Sequence, residues 1–293
     1  MNSFKNIGLF TSTVNSEKVF IAKQIEEILS SKGCRVLYDN VFKKDRSLKN
    51  LKTYSPKYLT THCDLVIAIG GDGTMLSCSR LYGLKAIPIL GINLGKLGFL
   101  TDIAPDELTN KLQEVISGQY SLDQRFFLES NVKGNKKKHI ALNEVVIHSG
   151  AIAQLIEYDL FIDDVFVFRQ KADGIIISSP TGSTAYSLSG GGPIVHPSLN
   201  AISIVPMFPH SLSSSPLVIS ADSHIKITTV GKKNKASLSF DSHNALNIPG
   251  ENEINIRKSS SVLNLLHPTG HDFYDGCRNK LGWSSGIIKT PQI

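Results

Sequence analysis

The run Asp64-Leu65-Val66-Ile67-Ala68-Ile69 passes directly into Gly70-Gly71-Asp72-Gly73-Thr74. Its first half is apolar and β-branched, the signature of a buried strand. Its second half is a glycine-rich turn around one acid, and Met75 to Leu84 reads as helix. Strand, glycine turn and helix in that order aim backbone N–H groups and the positive end of a helix at an anion. Glycine lets the backbone approach a phosphate and take φ > 0. Asp72 is the informative residue, because a carboxylate beside phosphates is repelled by them. It is left with a divalent cation to hold or a hydroxyl proton to accept, and both belong to phosphoryl transfer. The competing reading is a tight turn whose own N–H groups Asp72 satisfies.

The surrounding order supports a layered fold. Asn6 to Ser12 reads as a strand, and residues 16–32 place Ile21, Ile25, Ile28 and Leu29 on one helical face before Gly33. Cys34 to Tyr38 is a second strand, and residues 41–60 carry no clear pattern. Ala86 to Ile92 is a further strand, with Pro88 acceptable only at a sheet edge. It leads into a second glycine-bearing loop, Asn93 to Gly98, and Pro105 opens a helix carrying Leu108, Leu112, Val115 and Ile116. Alternating strands and helices predict a parallel sheet with helices on both faces, binding ligands at the carboxyl ends of its strands. Near Gln124 the pattern changes to short strands with polar tips. The predicted fold is therefore an α/β N-terminal domain with a parallel Rossmann-like sheet, residues 1–122, plus a C-terminal all-β sandwich, residues 123–269. A last helix covers about Asp272 to Leu281.

The length of 293 residues accommodates two modest domains or one large one. No apolar run approaches the ~18 residues that span a bilayer, and the N-terminus carries no signal-peptide pattern. Cys34, Cys63, Cys78 and Cys277 are scattered without metal-ligand spacing and read as reduced thiols in a cytoplasmic protein. The net charge of +6 gathers in the tips Asn135–Lys138 and Lys232–Lys235. Both read as solvated hairpin turns. A nucleic-acid surface is disfavoured because no aromatics interleave with the lysines.

A second glycine-rich stretch, Ser178 to Pro193, follows the strand Ile175-Ile176-Ile177. Its alternatives are a flexible linker and a ligand segment. Ala185, Tyr186 and Leu188 interrupt the polar run, and Tyr186 offers a flat face for a base. Asn143-Glu144 falls inside the strand run Ile140–Ile147, so one of the two points inward and needs a partner. A carboxylate and an amide suit a ribose diol and a base edge; a strand-end pair facing water is the alternative. Asp173, just before the Ile175 strand, has the same ambiguity.

With these motifs in place, the chain resembles the NAD kinases, of the ATP-dependent bacterial type. The resemblance rests on Gly70–Thr74, on Gly91-Ile92-Asn93-Leu94-Gly95-Lys96-Leu97-Gly98-Phe99-Leu100, on Asn143-Glu144, and on Pro180 to Ser189 with its following glycines and proline. It covers roughly residues 5 to 280, and the Thr181–Pro193 segment is its most specific part. It implies transfer of the ATP γ-phosphoryl group to the 2′-hydroxyl of the adenosine ribose of NAD, giving NADP, with Mg²⁺ accompanying ATP. The resemblance makes Asp72 catalytic and puts Gly73 beside the dinucleotide. Gly70, Gly71, Gly73 and Thr74 would hold the ATP phosphates. Asn143, Glu144, Lys171, Asp173, Thr184, Ala185, Tyr186, Ser187, Leu188 and Ser189 would contact NAD. It also implies that the C-terminal tail, residues 270–293, returns to the first domain and that the chain forms homodimers or homotetramers. Two positions depart from the family pattern. Many relatives carry Asp-Gly-Gln where this chain has Asp241-Ser242-His243, and some bacterial relatives carry a basic residue where it has Gln154. Contacts to NAD from Gln154 and His243 are expected on that footing.

Two other classes compete. A lipid kinase would share only the Gly70–Thr74 turn and would want a membrane-binding surface, but the chain has no basic amphipathic helix. A non-catalytic dinucleotide sensor would keep Thr184–Ser189 and have no use for Asp72.

Overall fold

The structure is a computed structural model and describes residues 4–45, 48–95, 98–150, 154–211, 214–231 and 235–283. The chain divides into two compact units. One holds the residues up to Gln124 and those from Leu263 onward, and the other holds Arg125–Val262.

The first unit is a layered α/β body. Its strands are β1 (Asn6–Phe10), β2 (Arg35–Asp39), β3 (Thr53–Tyr54), β4 (Leu65–Ile69) and β5 (Ile89–Ile92). They run parallel in the order β5-β4-β1-β2-β3. Residues 265 and 266, near the end of a long late strand, add in parallel beyond β5. Every residue of β4 is buried, as its apolar run requires of a strand covered on both faces. Helices α1 (Ser16–Ser31) and α4 (Leu108–Ile116) bury Ile21, Ile25, Leu29, Leu108, Leu112 and Val115 with Ile7, Leu9, Ile67 and Leu90 of the sheet. Each such side chain contributes about 1.5–3 kcal/mol by leaving water. The Asn15 side chain caps α1 by accepting the Lys18 N–H at 2.9 Å, and Gly33, at φ +76°, ends it.

Two expectations are corrected in this unit. Residues 41–60, without a clear pattern in sequence, form a 3₁₀ turn at Asn40–Lys44, strand β3 and helix α2 (Pro56–His62), which Ser55 caps. Strand β5 is central rather than at an edge. Pro88 stands just before it and offers only its carbonyl, to the Val66 N–H at 3.0 Å, so no ladder donor is missed.

The second unit is a β-sandwich. One layer is antiparallel in the order β13 (Leu217–Ser220), β12 (Ala201–Met207), β11 (Gly174–Ser178), β8 (Glu144–His148), β15 (Lys235–Phe240) and β16 (His243–Pro249). The other orders β10 (Val165–Ala172), β9 (Ile156–Ile162), β14 (Ile225–Thr229) and the first part of β17 (Glu253–Pro268) antiparallel. Strand β6 (Tyr120–Val132) pairs with β17 and with β7 (His139–Ala141). Val145, Ile147, Ile175 and Ile202 of one layer share a core with Tyr158, Leu160, Ile225 and Ile254 of the other. Asp163 and Asp164, at φ +50° and +63°, make the two-residue β9–β10 turn, and Asp241 and Ser242, at +50° and +57°, make the β15–β16 turn.

Among the described residues of the tail, α6 (Phe273–Leu281) belongs to the first unit. All four cysteines are free and all lie in that unit; Cys34, Cys78 and Cys277 are buried. Burial lifts the Cys63 thiol to about 12, with the Asp64 charge adding to it, and pushes Cys78 well above the ordinary range. Among the described residues no helix is long and apolar enough to cross a membrane.

Candidate functional site

In the first unit the site begins at the end of β4. The expected helix from Met75 starts earlier, at Asp72, and closes at Leu81, so α3 (Asp72–Leu81) carries the acid in its first turn. A carboxylate there is favoured by the helix dipole. Gly70 takes φ +144°, and a Cβ on it would stand 2.4 Å from Thr74 Oγ1, so only glycine fits. Gly71 and Gly73 are open, and a Cβ on either would meet nothing within 4 Å. Thr74 Oγ1 lies 2.9 Å from Ser12 Oγ, which puts two hydroxyls at the same helix start.

Three donors hold the Asp72 carboxylate. Its Oδ2 accepts the Phe99 N–H at 3.2 Å and its Oδ1 the Leu100 N–H at 3.1 Å. The ammonium of Lys280, from α6, donates to Oδ2 at 2.7 Å. The second glycine-bearing loop thus clasps the acid, and it can do so because residue 98 is glycine: a Cβ there would fall 2.2 Å from Asp72 Oδ1. Lys96 and Leu97 of that loop lie outside the described residues. Lys280 also sits 4.7 Å from the centre of the Phe99 ring, against which Gly276 brings α6 close. Sequence reading missed Lys280. It is 208 residues from Asp72, and a lysine near a helix C-terminus is ordinarily explained by the dipole.

Beside this site a cavity of about 250 Å³ is lined by Phe99, Asp102, Lys111, His271 and Phe273 among others. Asp102, His267 and His271 form the group of described residues closest to a metal-ligand set, with their ligand atoms within 4.8 Å of one another. The two imidazoles are stacked, however, with centres 3.8 Å apart and planes 13° apart, so their in-plane nitrogens do not converge on a common point. In the group the Asp102 carboxylate pairs with both imidazoles, His267 being buried and Asp102 and His271 half-buried. Burial alone would lower His267, but the carboxylates of Asp102 and Asp123 outweigh it and lift the imidazole to about 9. Burial would raise Asp102, but the two imidazoles hold it at about 2.

In the second unit the structure corrects the place of Asn143-Glu144. The expected continuous strand is broken at Leu142–Asn143 between β7 and β8, and both polar residues are buried rather than one facing water. Asp241, a residue noted in sequence only as part of a departure, explains the break. From the β15–β16 turn its carboxylate accepts the N–H groups of Leu142 (3.0 Å), Asn143 (2.7 Å) and Glu144 (3.3 Å). With the backbone so held, Asn143 Oδ1 and Glu144 Oε2 are buried without a hydrogen-bond partner. Desolvation first, and the Asp241 charge second, raise the Glu144 carboxyl to about 8.

The Thr181–Ser189 segment closes on the same place. Glu144 pairs with Ser178 at the end of β11, and Ser179 N–H donates to the Asn143 carbonyl at 2.8 Å. Gly182 packs on that carbonyl, where a Cβ would sit 2.3 Å from its oxygen. The segment is therefore ordered: a 3₁₀ turn at Thr181–Thr184, then the single turn α5 (Tyr186–Ser189). Ser187 Oγ is a further buried, unpartnered hydroxyl. Tyr186 is exposed and, with Ser189, Met207 and Phe208, lines an apolar-walled cavity of about 330 Å³.

The remaining candidates are more spread. Asp173 precedes β11 at its far end, about 16 Å from Ser178 at ~3.3 Å per strand residue; its N–H donates to the Met207 carbonyl. Lys171, on β10, is exposed and pairs with Glu157 at 3.3 Å. Gln154 is exposed in the chain leading to β9. His243 opens β16, beside the Asp241–Ser242 turn. Its side chain lies outside the described set.

Comparison with known proteins bears on both units. Residues 7–120 match the family described as the ATP-NAD kinase N-terminal domain, and residues 142–267 match the ATP-NAD kinase C-terminal domain. The chain is similar to the NAD kinase of Teredinibacter turnerae, at 44% identity over 97% of this chain and 99% of that protein. It is similar to the NAD kinase of Alcanivorax borkumensis at 41%, covering 96% and 95%. Among solved structures it resembles yeast NADH kinase complexed with NADH, with a TM-score of 0.87 and 29% identity over 99% of this chain and 91% of that one. An NAD kinase from Archaeoglobus fulgidus in complex with ATP gives a TM-score of 0.74 and 26% identity, covering 94% and 97%.

Proposed function

The chain belongs to the ATP-NAD kinase family, and from that premise we propose that it transfers the γ-phosphoryl group of ATP to the 2′-hydroxyl of the adenosine ribose of NAD, giving NADP and ADP. The observation that carries this reading is the buried pair Asn143 Oδ1 and Glu144 Oε2, left without partners on a backbone that Asp241 fixes. Buried polar atoms ordinarily have partners, and a ribose diol supplies hydroxyls to such a pair. Tyr186 and the Thr184–Ser189 turn, ordered against the Asn143 carbonyl through Gly182, are the surface for adenine. Asp173, Lys171, Gln154 and His243 are assigned to the rest of the dinucleotide.

Asp72 accepts the 2′-hydroxyl proton as the oxygen–phosphorus bond forms and ADP leaves. Gly71 and Gly73 present N–H groups, and Thr74 a hydroxyl, to the phosphates at the start of α3; the expected Gly70 contact is corrected, because its N–H is given to the Ile92 carbonyl at 2.8 Å and Gly70 serves the turn alone. A divalent cation arriving with ATP fits this donor set, because magnesium takes one or two carboxylates beside its phosphates. Asp72 is the carboxylate that would face it, and the ion would neutralise triphosphate charge. Most of the rate then comes from positioning and charge complementarity. The free thiols agree with a cytoplasmic setting. Assembly as a homodimer or homotetramer is part of the same reading, and light scattering measures it.

NADP formation from NAD and ATP by the pure protein tests the proposal. Asp72→Asn is expected to lower kcat by at least about 10²-fold, the scale of a lost acid–base group, with NAD binding by calorimetry nearly unchanged. Near-normal turnover in that variant would remove Asp72 from its role.

A further inference from the structure

The acid that is to accept a proton is occupied by Lys280. Its ammonium is 2.7 Å from Asp72 Oδ2, while one backbone N–H group donates to each of the two oxygens. A hydroxyl approaching Oδ2 must displace a donor. The two N–H groups belong to a clasp that Gly98 makes tight, and they are fixed by the backbone. The ammonium is the movable donor: it rides on a four-carbon stem, and the side chains of Lys280 and Asp72 are 27% and 32% exposed. It also stands at the start of α3, where the phosphates are placed. A triphosphate offers a lysine more negative charge than one carboxylate does, and lysine binds phosphate readily as a point charge.

We propose that Lys280 is a positioning residue that changes partners. In the free protein it holds Asp72 in its clasp. When the triphosphate of the donor arrives, its ammonium moves to the phosphate oxygens and leaves Oδ2 open to the acceptor hydroxyl. The Phe99 ring, 4.7 Å from the ammonium, gives it a second favourable surface throughout. Gly276, one turn before Lys280, sets α6 against Phe99 and so fixes the reach of the side chain. This inference rests on the proposed function for the identity of the hydroxyl, but not for the phosphate.

Lys280→Met and Lys280→Arg separate the possibilities. An ion pair this exposed contributes little to folding, so both variants are expected to melt within a few degrees of the parent. In NADP formation Lys280→Met is expected to lower kcat by about tenfold or more and to raise the KM for ATP several-fold. The KM for NAD should stay within about twofold, and Arg should restore part of the loss. In calorimetry with inorganic tripolyphosphate, Lys280→Met should bind about tenfold more weakly than the parent. Parental kcat and KM for ATP in Lys280→Met would overturn the inference, as would equal tripolyphosphate affinity. A parent that makes no NADP yet shows the tripolyphosphate difference would sink the kinase reading while leaving the lysine–phosphate exchange standing.

Discussion

At the scale of single residues, charge state and burial decide what the site can hold. Glu144 is 2% exposed, and its carboxyl sits near 8 because burial, then Asp241, disfavours the anion. The unfolded chain releases that proton at the ordinary carboxylate value, the folded protein only near 8. The folded state is therefore favoured by this group below the ordinary value, and the advantage is lost as pH rises through 8. Urea unfolding between pH 5 and 8 should show parental stability falling by about 1 kcal/mol per pH unit from this source. Glu144→Gln should flatten that slope, and an unchanged slope would refute the assignment. Asp72, Asn143 and Glu144 stood out in sequence as polar groups set against apolar strands, and only the family resemblance chose between their alternatives. Lys280 and Asp241 were not legible as partners. Their contacts cross 208 residues and up to 99 residues of chain, and nothing local marks them.

Elements show the same division. Strands and helices with strong periodicity, such as β4 and α4, carry the expected residues because apolar period and burial agree, though α4 opens at Leu108 rather than at Pro105, where residues 105–107 form a turn. Strand β12 escaped the sequence reading. Its run, Ala201 to Met207, contains Pro206, which argues against a central strand. The structure admits it because β13 pairs only with residues 201–204, leaving no ladder bond on that side for Pro206 to break. Strand β16 escaped as well, since its polar residues hide the alternation. The β15–β16 turn that precedes it matters beyond its size, for it carries Asp241 to the backbone of residues 142–144. Ser242 holds φ +57° there, a conformation that costs a side chain about 1 kcal/mol or more. Ser242→Gly should therefore raise stability by roughly 0.5–1 kcal/mol, allowing for glycine's greater unfolded freedom. Denaturant titration checks this, and a destabilised variant would show that the serine side chain contributes something the strain does not outweigh.

At the scale of the whole molecule, the chain is two bodies with separate cores, an α/β layer and a β-sandwich. Their distinction was readable near Gln124 because the apolar period changes there from helical to alternating. The thiols are distributed unevenly between them: Cys34, Cys63, Cys78 and Cys277 all fall in the α/β body. In native buffer an alkylating reagent should reach Cys63 slowly at most, and leave Cys34, Cys78 and Cys277 unmodified for as long as that body stays closed. Mass spectrometry of the labelled chain measures this; prompt modification of the three buried thiols would contradict their enclosure. The asymmetry gives the molecule a built-in tell-tale. Thiol alkylation registers the loosening of one half and is blind to the other, so pairing it with a probe of the β-sandwich dates the two openings separately within a single sample.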